Sequence, residues 1–158
     1  MKPRINYTTH TPDLMKRLFE MSQASAKGSL GHTLLDLAHI RASQLNGCAF
    51  CLDMHVKEAK LHGERELRLY HIPIWRESPL FSDKERAALE WTEAVTTLSA
   101  PISDDLFERV RLYLSEQEMA DLTFAIGIIN FWNRLNISSP ATPGSMDAML
   151  GLTAAGLT

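Results

Sequence analysis

Only two cysteines, no long hydrophobic run and no cluster of basic residues occur in this sequence, and each absence excludes a class of protein. Two cysteines in 158 residues are too few for the disulfide framework of a small secreted scaffold. The most apolar stretch, residues 122–132, is much shorter than the roughly 20 residues that cross a bilayer. A net charge of -3, with dispersed lysines and arginines, gives no basis for binding nucleic acid or an anionic membrane.

The first seven residues contain no apolar segment of the signal-peptide type. In a reducing cytoplasm, a closely spaced cysteine pair is usually catalytic, redox-sensing or metal-binding rather than structural. We therefore expect a cytoplasmic protein that binds neither nucleic acid nor membranes. Its length, with 45% hydrophobic and 22% charged residues, is typical of a single globular domain covering residues 1–158.

Apolar residues recur with the period of an α-helix along most of the chain, and no segment has the clear alternation of a β-strand. Helix-start signals strengthen this pattern: Ser82–Glu85 and Ser115–Glu118 are capping boxes, and Ser29 is a suitable cap. The sequence predicts an all-α bundle of about six or seven helices, with its core in residues 10–137.

The last long helix, which starts at the second capping box, has apolar residues on more than one side. It is either central to the bundle or shared with another subunit. Residues 138–158 contain proline and glycine and little charge, and they form either a frayed terminus or an arm on a neighbouring subunit. Both features favour a homo-oligomer.

The most informative motif is a pair of cysteines, Cys48 and Cys51, with His55 four residues after the second. If this run is helical, Cys51 and His55 lie one turn apart on one face, and the two cysteines are close enough for a disulfide. The dipeptide Asn46-Gly47 is a plausible helix start, which puts both thiols in the first two turns, where unpaired N–H groups favour anions. These conditions lower a thiol pKa, so the leading interpretation is a reactive thiol pair.

Two other interpretations of the motif stay open. A structural zinc site usually needs four ligands, and only the two cysteines and one histidine are nearby. Two inert cysteines could also lie in the core, because free cysteine is often buried. A c-type haem signature is excluded, since it needs a histidine directly after the second cysteine and Leu52 is there. We expect no metal and no cofactor besides the redox-active pair itself.

The preceding helix carries a polar row, Asp36, His39 and Ser43, at positions i, i+3 and i+7. This spacing puts the three side chains on one face of the helix. The row either faces the thiols or forms a solvated edge, and the spacing alone does not decide between the two.

The segment Arg41–His55 resembles the characteristic segment of the alkylhydroperoxidase D (AhpD)-like core family, within the carboxymuconolactone decarboxylase superfamily. The later run Asn130–Leu135 resembles a second recurrent feature of that family. The resemblance covers residues 10–137 and implies an AhpD-like helical fold that assembles as a homo-trimer or homo-hexamer. It also implies a dithiol peroxidase site, in which a carboxylate, two cysteines and a histidine form a proton relay.

In the family, the carboxylate is usually a glutamate twelve positions before the first cysteine, and Asp36 has that place here. Aspartate is one methylene shorter, so a relay needs a closer approach or a bridging water. Some relatives have a further histidine between the cysteines, where this chain has Phe50. Superfamily members that decarboxylate a muconolactone lack the cysteine pair, which counts against that activity here.

The resemblance implies that the pair reduces a hydroperoxide and that an external dithiol or disulfide-reductase donor restores it. Pairing with His55 favours Cys51 as the attacking thiolate and Cys48 as the resolving thiol, whereas the helix start favours the reverse order. We choose Cys51 as the nucleophile, with His55 taking its proton directly or through water and Asp36 orienting or charging the imidazole. The alternatives are a redox-regulated interaction protein and a thiol–disulfide oxidoreductase without peroxidase activity.

Overall fold

The computed structural model describes residues 4–155, and all of the regular secondary structure within them is helical. The α-helices in chain order are α1 (Tyr7–His10), α2 (Pro12–Ser25), α3 (Gly31–Asn46), α4 (Ala49–Leu61), α5 (Glu66–His71), α6 (Asp83–Thr97), α7 (Asp104–Arg111), α8 (Glu116–Ser138) and α9 (Asp147–Leu150). Short 3-10 helices cover Ile72–Ile74 and Leu152–Ala155.

The all-α prediction is confirmed, but the described residues contain nine α-helices instead of six or seven. The helices α1 and α9 account for the difference. Each is a single turn of four residues, too short to show a helical period in the sequence. No helix between residues 4 and 155 has both the length and the apolar character needed to cross a bilayer.

Of the helix caps predicted at Ser82, Ser115 and Ser29, the first two are confirmed. Both capping boxes, Ser82–Glu85 and Ser115–Glu118, form with reciprocal side-chain to backbone hydrogen bonds. At α3, Leu30 occupies the cap position instead of Ser29. The backbone N–H and the hydroxyl of Ser29 both donate to Asp121 Oδ2 at 2.8 Å, so this residue ties the start of α3 to α8.

Helix α3 is the centre of the bundle and packs against α4, α6 and α8. Its residues Leu37, Ile40 and Ala42 are almost completely buried. One apolar cluster lies between α3, α6, α7 and α8, and a second lies between α3, α4, α6 and the segment 69–81. Because α3 is covered on several sides, the polar residues that it carries are brought into the interior.

The turn between α3 and α4 determines where the cysteines lie. Gly47 ends α3 in the left-handed conformation, with φ 70°, which glycine reaches without steric cost. Cys48 is extended and becomes the N-cap residue of α4. Asn46, predicted as the start of the cysteine helix, is instead the last residue of α3. That prediction was wrong because a glycine at this point favours ending the preceding helix.

The C-terminal part of the chain, residues 140–155, folds back onto α4 of the same molecule. Lys57 Nζ, which is 5% exposed, lies 2.9 Å from Asp53 Oδ2 and 2.6 Å from Asp147 Oδ2. The backbone N–H of Gly144 also donates to Asp53 Oδ2, at 2.9 Å. The last three residues of the predicted tail 138–158 lie outside the described residues. Residues 138 and 139 belong to the end of α8, and the remainder, here called the tail segment (140–155), is clamped to the helix that carries the cysteines.

Replacing Lys57 with alanine is expected to release the tail segment, because Asp53 and Asp147 would then face each other without the buried ammonium. The expected loss is about 1–3 kcal/mol in the free energy of unfolding, measured by urea denaturation, with faster proteolysis within residues 140–155. Lys60→Ala is the matched control on the same helix: it removes a more exposed pair with Glu66 and should lower the free energy of unfolding much less. Equal behaviour of the two variants would contradict the clamping role of Lys57.

Candidate active site

Cys48 and Cys51 lie together at the N-terminal end of α4. They are 2% and 1% exposed, and both are free thiols. Their Sγ atoms are 2.6 Å apart. The pair is buried against α3 and α8, and the side chains of Phe50 and Trp132 pack against it. The fold therefore holds the two sulfur atoms in direct contact and away from solvent.

The negative charge of the pair belongs on Cys48. The hydrogen bond from the Cys51 thiol, together with backbone N–H groups at the helix start, lowers the pKa of Cys48 to about 7 although burial opposes the shift. One of these groups, the Cys51 N–H, lies 3.4 Å from Cys48 Sγ. The same thiol hydrogen bond, reinforced by burial, raises the pKa of Cys51. The pair therefore ionises first at Cys48, with Cys51 as the protonated thiol beside it.

Two asparagines of α8 complete the polar lining of the pair. Asn136 Nδ2 donates to Cys51 Sγ at 3.6 Å. Asn133 is completely buried, and its Nδ2 donates to Ser43 Oγ at 3.2 Å. Asn46 Nδ2 donates to Asn133 Oδ1 at 2.8 Å, which orients the amide so that its NH2 group points away from Asn46. Asn133 also hydrogen-bonds Cys48 and helps to lower the pKa of that thiol, so the buried pair has amide donors on both sulfur atoms.

His55 is buried behind the thiols, with 7% exposure, and pairs with a carboxylate of its own helix. Its Nδ1–H donates to Glu58 Oε2 at 2.6 Å. Burial would raise the pKa of Glu58, but this hydrogen bond and the positive charges of His55 and His62 hold it below its ordinary value. An ionised carboxylate at Nδ1 fixes the proton there and leaves Nε2 as the atom that exchanges protons.

The Nε2 atom of His55 is buried and has no hydrogen-bond partner within residues 4–155. His55 therefore makes no direct hydrogen bond to Cys51, which was one of the two predicted routes for the proton; transfer through a water molecule stays a prediction. A buried polar atom without a partner needs an explanation, and at a reactive site a natural one is that its partner is the substrate.

Asp36 is brought to the same region but has a different partner from the one predicted. Its Oδ2 accepts from His62 Nδ1 at 2.7 Å. Burial raises the pKa of Asp36, even though the hydrogen bond from His62 acts to lower it. The predicted Asp36–His55 contact is replaced by two separate pairs, Glu58–His55 and Asp36–His62. The physical reason is reach: Glu58 lies one turn from His55 on the same helix face, where the short aspartate of α3 does not compete.

The polar row of α3 faces the site and is not a solvated edge. Ser43 is completely buried against Asn133, and Asp36 is 6% exposed. The ring of His39 lies against that of His55, with 4.5 Å between the ring centroids. Burial, and then the positive charge of His55, lower the pKa of His39 well below its ordinary value, so this imidazole is neutral.

Four residues of this site were not predicted from the sequence: Glu58, His62, Asn133 and Asn136. Two signals could have found them. The spacing of His55, Glu58 and His62 puts all three on one helix face, and amides recur at three-residue intervals in the otherwise apolar helix α8.

Among residues 4–155, no three histidine, cysteine, aspartate or glutamate side chains converge in the way that a metal ion requires.

The profile of the carboxymuconolactone decarboxylase family matches residues 12–94, which is more than half of the chain and includes the cysteine pair, His55 and Glu58. The chain therefore belongs to this family. The match runs from the start of α2 into α6, so it covers α3 and α4, two of the three helices that form the site.

Among individual relatives, the uncharacterized protein YdfG of Bacillus subtilis is 40% identical over 139 residues, which are 87% of this chain and 95% of YdfG. A protein of unknown function from Agrobacterium tumefaciens, named as a candidate antioxidant defence protein AhpD, is 39% identical, with a TM-score of 0.86 over 90% of this chain and 98% of that one. An AhpD-core, peroxidase-related protein from Ralstonia eutropha is 18% identical, with a TM-score of 0.78 over 87% of this chain and 74% of that one. The last is a likeness of fold alone. The resemblance to the AhpD-like core family is confirmed.

The low pKa of Cys48 is expected to appear as a rise in thiolate absorbance and in alkylation rate centred near pH 7, instead of near the value of about 8.5 for a free cysteine. The thiolate dominates above this pH and is lost below it. Cys51→Ala removes the thiol donor and should move the inflection upward. Cys48→Ala is the control that should abolish it, and an inflection near pH 7 that survives in Cys48→Ala would place the charge on Cys51.

Proposed function

We propose that this protein is an antioxidant dithiol peroxidase that reduces alkyl and other organic hydroperoxides with Cys48 and Cys51. The observation that carries the proposal is the buried contact between the two sulfur atoms at the start of α4, with the charge on Cys48. Membership of the carboxymuconolactone decarboxylase family and the likeness to an AhpD candidate support it.

In the first step, the Cys48 thiolate attacks the terminal oxygen of the hydroperoxide ROOH. An S–O bond forms, the O–O bond breaks and an alkoxide leaves, so that Cys48 is oxidised to a sulfenic acid. The alkoxide takes up a proton and departs as ROH. Cys51 then attacks the sulfur of Cys48, which releases water and forms the disulfide, and an external dithiol reduces that disulfide by exchange.

This order of events reverses the roles that the sequence suggested for the two thiols. The sequence-based choice of Cys51 rested on its pairing with His55, and no hydrogen bond between these residues is present in the described part of the chain. The attacking species is a thiolate, and the electrostatics of the site favour that state for Cys48. A high pKa suits Cys51 as the thiol that donates to Cys48 and then resolves the sulfenic acid.

His55 is placed to handle the proton of the reaction. Its free Nε2 would donate to the departing alkoxide as a general acid, an effect typically worth about 10²–10⁴-fold in rate. The Glu58 carboxylate orients the ring through Nδ1 and stabilises the positive charge that His55 carries while it holds the additional proton. His39, kept neutral by burial, supports the ring without competing for that proton.

The surroundings of the pair favour an organic hydroperoxide over hydrogen peroxide. The side chains against the thiols, Phe50 and Trp132, are aromatic. Trp132 is held in place by its contact with Phe19, at 4.9 Å between ring centroids, and by a hydrogen bond from its Nε1 to Ser22 Oγ. Apolar walls of this kind recognise an alkyl or aryl group, with few polar contacts to fix orientation.

Burial of the thiols also bears on the alternatives. Both sulfur atoms lie below the surface, so a small hydroperoxide and a small dithiol need a much smaller opening to reach them than a protein disulfide does. This favours peroxidase turnover over protein thiol–disulfide exchange.

We also expect a homo-trimer or homo-hexamer, since Phe124 and Phe131 of α8 are 66% and 54% exposed in the single chain, and aromatic residues are enriched at subunit interfaces.

The decisive test is consumption of an alkyl hydroperoxide with a small dithiol as reductant. Wild type should turn over, and both Cys48→Ser and Cys51→Ser should not, because each lacks one sulfur of the disulfide. Trapping with a dimedone-type reagent then separates the roles: Cys51→Ser should accumulate a sulfenic acid on Cys48, whereas Cys48→Ser should react far more slowly. Wild type with no more activity than the variants would refute the peroxidase, and rapid trapping at Cys51 would restore the order predicted from the sequence.

Glu58→Gln is expected to slow the oxidation step by about 10–100-fold, since loss of an outer carboxylate on a functional histidine usually has an effect of this size. The pH profile of that step should also change, because a neutral amide no longer holds the imidazolium. Glu90→Gln is a suitable control, as its carboxylate pairs with Arg109 on the far side of the bundle. Single-turnover stopped-flow measurements across pH would check both, and a Glu58→Gln enzyme with the wild-type profile would show that Glu58 does not act through His55.

A further inference from the structure

The contacts of Asn46 form part of a continuous chain of hydrogen bonds that runs from the middle of α8 to the thiol pair. Asn130 Nδ2 donates to the carbonyl oxygen of Ile126 at 2.8 Å and to Thr96 Oγ1 at 3.2 Å. Asn46 Nδ2 donates to Asn130 Oδ1 and to Asn133 Oδ1, both at 2.8 Å. Asn133 in turn hydrogen-bonds both cysteines. The chain therefore joins three amides in a fixed order.

The orientation of the amides in this chain is fixed at Asn130. A backbone carbonyl only accepts hydrogen bonds, so the bond to Ile126 requires the NH2 group of Asn130 on that side. The guanidinium of Arg134 only donates, and its Nη1 lies 3.0 Å from Asn130 Oδ1. Two groups of α8 that cannot exchange their roles thus direct the Asn130 oxygen toward Asn46.

Asn46 transmits this orientation to Asn133. An NH2 group has two hydrogens, and Asn46 uses both of them, one for each neighbouring oxygen. In the opposite orientation, its own oxygen would face the oxygens of Asn130 and Asn133, and both bonds would be lost. Because the Asn133 oxygen is engaged by Asn46, the NH2 group of Asn133 faces the interior, where it donates to Ser43 Oγ and to the cysteines.

This orientation matters because the Asn133 side chain is completely buried beside the sulfur atoms. An NH2 group in this place stabilises a thiolate, whereas an amide oxygen would repel it. The other polar neighbour of Asn133 does not select between the two, since the hydroxyl of Ser43 can either donate or accept. The selection is therefore made by Asn46.

The ionisable groups around the pair do not replace this amide. On α4, His55 is bonded to Glu58. On α3, Asp36 is bonded to His62, and His39 packs against the ring of His55. The guanidinium at the outer end of the chain is bonded to an amide oxygen and not to a sulfur atom.

We propose that Asn46 is a positioning residue of the thiol pair: it holds the Asn133 amide with the NH2 group, and not the oxygen, against the sulfur atoms. The inference rests on the proposed function only for the use to which the thiolate is put, since the amide chain acts on the dithiol itself. A donor that stabilises the thiolate also stabilises the dithiol relative to the disulfide. Asn46 thereby favours both the ionised state that attacks a hydroperoxide and the return of the pair to its reduced form.

The test is the ultraviolet thiolate titration of the reduced protein, without peroxide, in Asn46→Asp. An ionised aspartate has the shape of asparagine but only accepts hydrogen bonds. Asn133 is then expected to turn its NH2 group toward the new carboxylate and its oxygen toward the sulfur atoms. The acid dissociation constant of the Cys48 thiol should fall by about tenfold or more, because a hydrogen bond to a charged group is lost. An Asn46→Asp titration equal to that of wild type would overturn the proposal.

Gln44→Glu is the matched control for the added negative charge. Gln44 lies two residues before Asn46 at the same end of α3, and its side-chain oxygen already accepts from Arg41 at 3.2 Å, so the amide chain stays intact. At high salt its titration should remain close to that of wild type, since salt screens a charge that makes no contact with the pair. Equal shifts in the two variants would also overturn the proposal, because charge alone would then explain them.

A second measurement uses the wild-type chain and stays decisive if Asn46→Asp does not fold. In proton–nitrogen correlation spectra, the side-chain NH2 signals of Asn133 should move as the Cys48 thiolate forms, with the inflection of the ultraviolet titration. Those of the exposed Gln117, which is bonded to Asp121, should not move. Asn133 signals that do not follow the thiolate would refute the placement of its NH2 group.

These measurements involve no hydroperoxide, so they separate the two proposals. The expected titrations and spectra in a protein without peroxidase activity would reject the proposed function and keep the role of Asn46. An active peroxidase in which Asn46→Asp titrates like wild type would reject only the role of Asn46.

Discussion

A thiolate kept out of water is the constraint on which the rest of this structure depends. Removing a charge from solvent costs several kcal/mol unless the protein supplies donors in its place. Here the donors are the first turn of α4, the thiol of Cys51 and the buried amide of Asn133 on α8. The left-handed turn at Gly47 makes this possible, because it ends α3 and leaves Cys48 at the N-cap of the next helix.

The same constraint explains why the central helix of the bundle carries polar groups inward. Burying Asp36 and Ser43 in a core helix replaces apolar packing with polar groups that have lost their contact with water. This desolvation costs free energy unless each group has a hydrogen-bond partner. Each is satisfied by a specific partner, His62 for the aspartate and Asn133 for the serine. The tail segment, clamped by Lys57, packs against α4, the helix that carries the cysteines.

Much of the fold could be predicted because its signals are local. Helical periodicity, the two capping boxes and the glycine after α3 act within a few residues, and the helices form where these signals place them. The single turns α1 and α9 could not be predicted in this way, since four residues give no period. Asn46 shows the limit of a local signal: asparagine before glycine suits both the end of one helix and the start of another.

The sequence by itself determined that the chain is all-helical and that two cysteines and a histidine share one helix, because these properties depend on spacing along a single element. Only the tertiary structure decided the partners. It paired His55 with Glu58 and Asp36 with His62, and it turned the amides of α8 toward the thiols. Its contacts also lower the pKa of Cys48 and raise that of Cys51. Side-chain reach across helices, and the burial that sets each pKa, arise only when α3, α4 and α8 pack together.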